Sequence, residues 1–322
     1  MRILVRRSCA LRVLGLMLLL CAPASAVTID WTAIGDPGNA CDTQSQGCFG
    51  AVGHGYQIST YEVTNAQYAE FLNAVADTDA NGLYHTNMGT GLGGITRSGS
   101  AGSHAYAPVA GREDRPVNYV SWYDALRFAN WLHNGQPDTG SQSAATTEAG
   151  SYTFSGTTAV GARNANATIV LPSEDEWYKA AYYAVSSTSY FDYPAGFDVQ
   201  TVCASPSGLP NTATCNGAGL QSVGSYTGAA SPYGTFDQGG NVWEWTETAS
   251  DGALVMRGGS YATNAANLAA ASRITNFAGL QDSWFGFRVA AVVPVPEPGT
   301  GVLLAVGMLA LCGARRRERE TR

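Results

Sequence analysis

Three segments of the chain have apolar residues at helical spacing. Each segment begins at a hydroxyl residue, and an acid or an amide follows three positions after that residue. That arrangement is a capping box and predicts the start of an α-helix. The capping pairs are Thr64 with Gln67, Ser121 with Asp124 and Ser173 with Glu176. The apolar residues predicted to form the buried helix faces are Tyr68, Phe71, Leu72 and Val75; Ala125, Phe128, Ala129 and Leu132; and Trp177, Ala180, Ala181 and Ala184.

The third of these segments begins with three consecutive acids, Glu174, Asp175 and Glu176. Carboxylates in a first helical turn are stabilised by the positive end of the helix dipole. We therefore interpret the three acids as a helix start, and a metal or acid–base cluster is the alternative.

The remaining sequence consists of short extended segments between polar stretches. Residues 169–171 and 287–290 are the better strand candidates, whereas segments 81–111 and 134–166 are rich in Gly, Ser, Thr and Ala and predict long surface loops. No repeat with a period of about 20–50 residues is present, so a solenoid or propeller is not indicated. Together the pattern predicts an α+β domain rich in irregular structure.

Charge is distributed unevenly along the chain. The 322 residues include 18 basic and 25 acidic side chains, a formal net charge of −7. Half of the basic residues lie in residues 1–26 and 296–322, which leaves 9 basic and 22 acidic side chains between residues 27 and 295, a net charge of −13. A domain this acidic does not bind nucleic acid or an anionic membrane through bulk electrostatics, so we expect no nucleic-acid partner.

Residues 1–26 have the pattern of a secretory signal peptide. Four arginines and no acid accompany an apolar run at 13–21, and Ala24-Ser25-Ala26 fits the small-x-small cleavage pattern. The mature chain is expected to begin near Val27, with residues 27–51 as an N-terminal segment. An uncleaved anchor helix is the alternative, although the apolar run is short for a membrane span.

The C-terminal segment, residues 292–322, also has the pattern of a targeting signal. Pro296-Glu297-Pro298 precedes a short apolar stretch at 302–312, predicted to be a transmembrane segment, and then three arginines at 315–317 that would stay on the cytoplasmic side. This order resembles the PEP-CTERM sorting signal of Gram-negative bacteria. The resemblance implies recognition by an exosortase, transient anchoring in the inner membrane, and delivery to the cell surface or extracellular matrix. A plain C-terminal anchor is the alternative.

Four cysteines lie between these two ends: Cys41, Cys48, Cys203 and Cys215. An even number in an oxidising compartment predicts two disulfides. Of the three pairings that the sequence leaves open, we favour local closure, because each neighbouring pair brackets a loop with little else to hold it. A zinc site is not indicated, and the scattered histidines are interpreted as surface or satisfied core residues. These histidines are His54, His85, His104 and His133.

Six short motifs follow one another through the middle of the chain. They are Tyr61-Glu62-Val63-Thr64-Asn65; Arg115-Pro116-Val117 with Val120-Ser121-Trp122; Leu171-Pro172-Ser173-Glu174 with Glu176-Trp177; Gly240-Asn241-Val242-Trp243-Glu244-Trp245; Arg257-Gly258-Gly259-Ser260; and Gly286-Phe287-Arg288. In this order they resemble the domains of formylglycine-generating enzymes, or sulfatase-modifying factors, over about residues 52–291. The resemblance implies a loop-rich α+β fold, a formylglycine-generating-enzyme-like variant of the C-type lectin fold.

The resemblance also indicates where catalysis would occur. Formylglycine-generating enzymes oxidise a sulfatase cysteine with dioxygen and a copper ion held by two cysteine thiolates, the ligands that soft Cu(I) favours. The corresponding positions here are about Thr263 and Leu268, and residues 262–272 contain no cysteine. Copper is therefore not expected, and the family-site remnants Ser260 and Arg273 are interpreted as fold residues. The three-histidine iron site of ergothioneine-type sulfoxide synthases has no counterpart either.

A calcium site of the family has matching positions in the loop before the Trp-Glu-Trp motif. The resemblance implies the side chain of Asp237 and the carbonyls of Gln238, Gly240 and Val242 as ligands. Hard oxygen ligands on a glycine-rich turn suit Ca²⁺. An ordinary turn followed by a buried tryptophan pair is the alternative.

Two functions are compatible with these features. The first is an exported, non-catalytic binding or structural domain with a protein, peptide or glycan ligand, which the missing cysteine pair favours. The alternative is an oxidoreductase of the formylglycine-generating or nonheme-iron superfamily that acts on a protein or peptide with different chemistry.

Overall fold

A computed structural model describes residues 26–292 of the chain. The predicted signal peptide and the apolar part of the C-terminal signal lie outside these residues. Between residues 26 and 292, no helix is both long enough and apolar enough to cross a membrane.

Each of the three α-helices begins where its capping box predicts. In all three, the N-cap hydroxyl accepts from the third backbone N–H, and the third side chain accepts from the N-cap N–H. The buried face of the second helix differs from the predicted one, because Trp131 is buried and Leu132 is only half-buried. The third helix ends at Tyr182, so Ala184 lies in the following strand. The helices are α1 (Asn65–Val75), α2 (Trp122–His133) and α3 (Glu174–Tyr182).

The strands are short, and most have two to five residues. In chain order they are β1 (Trp31–Ile34), β2 (Asp42–Gln44), β3 (Gly47–Phe49), β4 (Tyr56–Ser59), β5 (Ile95–Ser98), β6 (Ala105–Pro108), β7 (Ile169–Val170), β8 (Tyr183–Ala184), β9 (Ser189–Tyr190), β10 (Val202–Cys203), β11 (Thr212–Ala213), β12 (Trp243–Ser250), β13 (Ala253–Arg257), β14 (Ile274–Asn276), β15 (Phe285–Gly286) and β16 (Ala290–Ala291). Two short 3₁₀ helices lie at Thr86–Gly89 and Ala265–Leu268.

Two four-stranded sheets organise the fold. The first has the order β1-β4-β16-β7 and is antiparallel throughout, so it joins both ends of the described chain. The second has the order β14-β13-β12-β15, with β12 and β15 parallel and the other pairs antiparallel. The combination of these sheets with three helices and long irregular connections confirms the predicted α+β class.

The main core lies where α1 and α2 pack beside these sheets. Ring centroids of Phe71 and Phe128 are 5.3 Å apart, and those of Phe128 and Phe287 are 5.5 Å apart, both in edge-on geometry. Such pairs stabilise a core by about 0.5–1.5 kcal/mol beyond the burial of their area. A second, smaller cluster forms where Trp177 and Tyr182 of α3 pack with Phe49.

Two predictions from the sequence are wrong in part. Segment 81–111 is not a surface loop throughout, because it contains the β5–β6 hairpin and buries Ile95 and Tyr106 in the core. Its few apolar residues are too widely spaced to produce a periodic signal. The predicted strand at 287–290 is interrupted between β15 and β16, where Arg288 points into the core instead of continuing the ladder.

Segment 134–166 has no strand or helix of its own, yet it is not wholly exposed. Tyr152 is buried, and its backbone is fixed by the side chain of Asn130 on α2, which also binds the Thr147 carbonyl. The side-chain amide of Asn130 therefore supplies this loop with backbone hydrogen bonds of the kind that a neighbouring strand supplies in a sheet.

Local disulfide closure is confirmed. Cys41 pairs with Cys48 across the β2–β3 hairpin, and Cys203 pairs with Cys215 across the segment that contains β10 and β11. Cys215 is buried and packs in one apolar cluster with Leu268. The second disulfide therefore lies beside one of the positions that the sequence assigned to the family's copper ligands.

Candidate functional site

Strand β12 places the Trp-Glu-Trp motif in the centre of the second sheet. Because side chains alternate along a strand, Trp243 and Trp245 share one side of β12 and Glu244 faces the other. Glu244 is fully buried and accepts hydrogen bonds from the Trp177 indole at 2.7 Å and from the Arg288 guanidinium at 2.6 and 2.8 Å. Both carboxylate oxygens are occupied, so Glu244 is an internal counter-ion and not a free acid or base.

Two further carboxylates lie beside this ion pair. Asp237, in the loop before β12, accepts from the Gly224 N–H at 2.6 Å. Glu62, only 1% exposed, accepts from the Asn241 amide at 3.3 Å through one oxygen. Its other oxygen has no hydrogen-bond partner among residues 26–292. A buried carboxylate oxygen without a partner costs free energy, so its presence points to a missing ligand.

The pKa values of both carboxyl groups are raised. Burial raises the pKa of Asp237 to about 6, an effect that the Gly224 N–H and Arg288 moderate. Burial, followed by the negative charges of Asp237 and Glu244, raises the pKa of Glu62 well above its usual value. A divalent cation between the two acids would offset both the cost of burying their charges and the repulsion between them.

The backbone of the loop around Asp237 lies very close to a neighbouring segment of the chain. Gly240 adopts φ 92°, and a Cβ there would lie 2.3 Å from the Thr214 carbonyl, so only glycine fits. The Gln238 side chain is held by Thr235 and by the Trp177 carbonyl, and Val242 is fully buried. Beside this loop, a cavity of about 20 Å³ has room for one water molecule; Asp237 and Gln238 line it, but Glu62 does not.

The donors near this loop fit a calcium ion of mixed coordination. The part of the chain that the structure describes contains no group of three or more His, Cys, Asp and Glu side chains placed to hold a metal. A cation here would therefore use two carboxylates with backbone oxygens, a donor set that Ca²⁺ accepts. Sequence reasoning missed Glu62. An acid between apolar residues in the Tyr-Glu-Val-Thr-Asn motif was the available signal, but nothing linked it to position 237.

The segment that the sequence resemblance assigns to the catalytic site lies after β13 and contains no thiol. Ser260 is fully buried, and its backbone N–H donates to the Thr263 hydroxyl at 2.9 Å, so Thr263 closes a turn. Leu268 is also fully buried, in the cluster with the Cys203–Cys215 disulfide. A turn-forming hydroxyl and a packed apolar side chain thus occupy the two positions.

Arg273 is part of an ion-pair cluster on α3. Its guanidinium lies 3.0 Å from Glu174, which also binds the fully buried Arg257 at 2.6 Å. The Arg257 guanidinium stacks 4.5 Å above the ring of Phe49 and donates to the Ala270 carbonyl. Arg273 therefore anchors the segment after β13 to the start of α3.

The other two acids of α3 have separate partners. Asp175 accepts from the Gly50 N–H at 2.8 Å, and Glu176 lies 3.0 Å from His54 and 2.9 Å from Arg163. Burial alone would raise the pKa of Glu176, but the hydrogen bonds from His54 and Arg163 lower it to about 2. With three different sets of partners, the three acids do not form one cluster, in agreement with the helix-start interpretation.

An open groove of about 600 Å³ lies between the start of α2, residues 158–163, the β12–β13 turn and residues 277–279. Its aromatic lining comprises Trp122, Tyr123, Tyr152 and Phe277. A second compartment of about 350 Å³ adjoins it and shares Tyr123, Thr158 and Gly279. The two volumes fall in the range of small-molecule sites. Sequence reasoning missed this groove, because its walls come from four separate parts of the chain.

Known proteins resemble the chain in sequence and in structure. Residues 50–293 match the family model of the sulfatase-modifying factor enzyme 1-like domain, and residues 294–317 match the PEP-CTERM protein-sorting motif. No curated protein matches the chain.

Solved structures share the architecture at low identity. The crystal structure of CarF is 21% identical with a TM-score of 0.52, covering 83% of this chain and 99% of that one. Variable protein 1 of Treponema denticola is 19% identical with a TM-score of 0.49, covering 81% and 94%. PvdO from Pseudomonas aeruginosa is 17% identical with a TM-score of 0.43, covering 82% and 92%. The likeness to CarF extends to the fold alone.

Proposed function

The chain belongs to the family of sulfatase-modifying factor enzyme 1-like domains, and on that basis we propose that it is an exported binding domain without the family's oxidase activity. Its fold is the loop-rich, formylglycine-generating-enzyme-like variant of the C-type lectin fold. The PEP-CTERM motif implies export and recognition by an exosortase. The proposed location of the mature domain is the cell surface or extracellular matrix of a Gram-negative bacterium.

One observation supports the non-catalytic part of the proposal: residues 262–272 contain no cysteine, and the positions that the resemblance assigns to the family's thiols are about Thr263 and Leu268. Cu(I) needs soft ligands, which a hydroxyl and an isobutyl group do not supply. All four cysteines among the described residues are joined in disulfides, so no free thiol is available nearby to replace them. The polar remnants Ser260 and Arg273 are engaged in turn and ion-pair contacts.

The purified protein is expected to leave a Cys-x-Pro-x-Arg peptide unchanged in the presence of copper and dioxygen. Conversion of the cysteine to formylglycine would lower the peptide mass by about 18 Da, because sulfur and two hydrogens leave and one oxygen enters. Mass spectrometry of the peptide is the measurement, and a formylglycine-generating enzyme with its cysteine pair is the positive control. A loss of about 18 Da with this protein would establish the oxidoreductase alternative instead.

We also propose that the Asp237 carboxylate, with Glu62 and the carbonyls of Gln238, Gly240 and Val242, holds a calcium ion that stabilises the loop before β12. The support is chemical. The unpartnered oxygen of Glu62 lies beside a second acid in a protein whose compartment is rich in calcium. The ion would act as a structural cross-link between two loops that otherwise repel each other.

Calcium affinity is expected to fall about tenfold or more between pH 7.5 and pH 5. A carboxyl group with a pKa of about 6 is almost fully ionised at the higher pH and about one-tenth ionised at the lower, so protons displace the cation as pH falls. Isothermal titration calorimetry at both values measures the effect. Asp237→Ala should abolish the heat of binding, whereas Glu70→Ala, on the exposed side of α1, should not. Equal titrations of wild type and Asp237→Ala would refute the site.

A further inference from the structure

We infer that the aromatic groove beside α2 binds a neutral oligosaccharide. The inference rests on the proposed binding function and names the ligand class for it. It is carried by the aromatic rings that line the groove, by the pairing of its arginine with carboxylates, and by the polar atoms that remain without a partner.

Two aromatic rings of the groove, those of Trp122 and Tyr123, are held in place before any ligand binds. The Trp122 indole donates its N–H to the Thr246 carbonyl at 3.0 Å, and Tyr123 packs edge-on against it with ring centroids 5.5 Å apart. The ring of Phe277, which also lines the groove, is 80% exposed, a high value for a phenyl ring. A sugar ring has C–H groups on its faces and hydroxyls on its rim, so flat aromatic surfaces bind its faces. Rings already held in place lose little entropy on binding.

The arginine that lines the groove is already paired with carboxylates. Glu247 accepts from the Tyr152 hydroxyl at 2.8 Å and from Arg163 at 3.0 and 2.9 Å. Arg163 in turn binds Glu176, so one guanidinium lies between two carboxylates. No cation is left over for an anionic ligand. Carboxylate lone pairs beyond those used by Tyr152 and Arg163 can accept from sugar hydroxyls, which need hydrogen bonds but no counter-ion.

The second compartment extends the groove with polar side chains. The Gln281 amide N–H donates to Asp124 at 2.9 Å, and the Asn81 amide N–H donates to Glu148 at 3.0 Å. Both side chains are fixed in this way, and their amide oxygens have no partner among the described residues. Thr158 lines both compartments, so hydroxyl and amide groups are present in the groove and in its extension. Two adjoining compartments of about 600 and 350 Å³ have room for more than one sugar ring.

The net charge of the domain narrows the class of ligand further. The region between residues 27 and 295 has a net charge of −13, which repels polyanions such as acidic polysaccharides. A peptide would need a strip of free backbone donors and acceptors or a closed pocket for an anchoring side chain. The groove offers instead flat rings and side-chain amides, so a neutral glycan fits better than a peptide.

The experiment uses the purified protein on an array of neutral cello-, chito-, malto- and manno-oligosaccharides, with acidic glycans and a peptide library in parallel. Binding to at least one neutral series is expected, increasing with chain length, and accompanied by a change in tryptophan fluorescence from Trp122. Phe277→Ala is expected to weaken the best ligand at least tenfold in calorimetry. Phe197→Ala removes an exposed phenyl group that does not line the groove and should leave the affinity unchanged.

Three results would overturn the glycan assignment: no neutral glycan binds, only acidic glycans bind, or Phe277→Ala and Phe197→Ala have equal affinity. Peptide binding that Phe277→Ala abolishes would refute the glycan while leaving the proposed binding function intact. Formylglycine formation in the separate peptide assay would refute the proposed function, whatever the array shows. Failure of the glycan assignment and failure of the proposed binding function are therefore distinguishable.

Discussion

Glu244→Ala is expected to lower the free energy of unfolding by about 3–5 kcal/mol, because it leaves the buried guanidinium of Arg288 without its counter-ion. Both side chains are fully buried, and two charge-assisted hydrogen bonds join them. The same substitution removes the acceptor of the Trp177 indole N–H. Urea denaturation followed by tryptophan fluorescence measures the change.

Two variants make this prediction specific to the ion pair. Glu70→Ala removes an exposed carboxylate from α1 and should change stability by less than about 0.5 kcal/mol. Glu244→Leu combined with Arg288→Met removes both charges and should recover part of the loss, because no unpaired charge stays buried. If Glu244→Ala unfolds at the same urea concentration as wild type, the ion pair does not stabilise the fold.

Glu174→Ala is expected to cost about 3 kcal/mol and to loosen residues 262–273. Glu174 is the shared counter-ion of Arg257, which is fully buried, and of Arg273, which is largely so. Arg257 keeps its contacts to the Ala270 carbonyl and the Phe49 ring, so the expected cost lies at the lower end of the range for a broken buried pair.

Hydrogen exchange resolved to peptides separates this effect from a general loss of stability. Faster exchange is expected in the segment after β13, with α1 and α2 unchanged under native conditions. Glu174→Gln keeps the shape and one acceptor and should give a smaller effect on both measurements. Unchanged exchange after β13 in Glu174→Ala would show that other contacts hold this segment.

The helices could be predicted from sequence because capping boxes are local. Thr64, Ser121 and Ser173 each interact with a residue three positions away, so sequence spacing contains the contact. The local disulfides were predictable for the same reason. The β5–β6 hairpin was missed, because Ile95 and Tyr106 bury themselves against α1 without periodic neighbours.

The candidate sites depend on contacts that spacing does not contain. Glu62 and Asp237 are brought together only after the sheets form, and the pKa shifts that mark them arise from burial. The groove likewise needs Trp122 and Phe277 from distant parts of the chain. The resemblance predicts the positions of the absent thiols, about Thr263 and Leu268, from their spacing to Ser260. It gave no information about what surrounds them.

The buried position of Lys179 has a chemical consequence for an exported protein. It is the single lysine of the chain, it has no exposed surface, and its ammonium donates to the carbonyls of Gly35 and Asp36 at 2.7 Å each. Every other basic side chain between residues 27 and 295, histidines aside, is an arginine, which stays charged and is a poor nucleophile. The folded domain therefore offers no side-chain amine for acylation, Schiff-base formation or isopeptide cross-linking to neighbouring molecules.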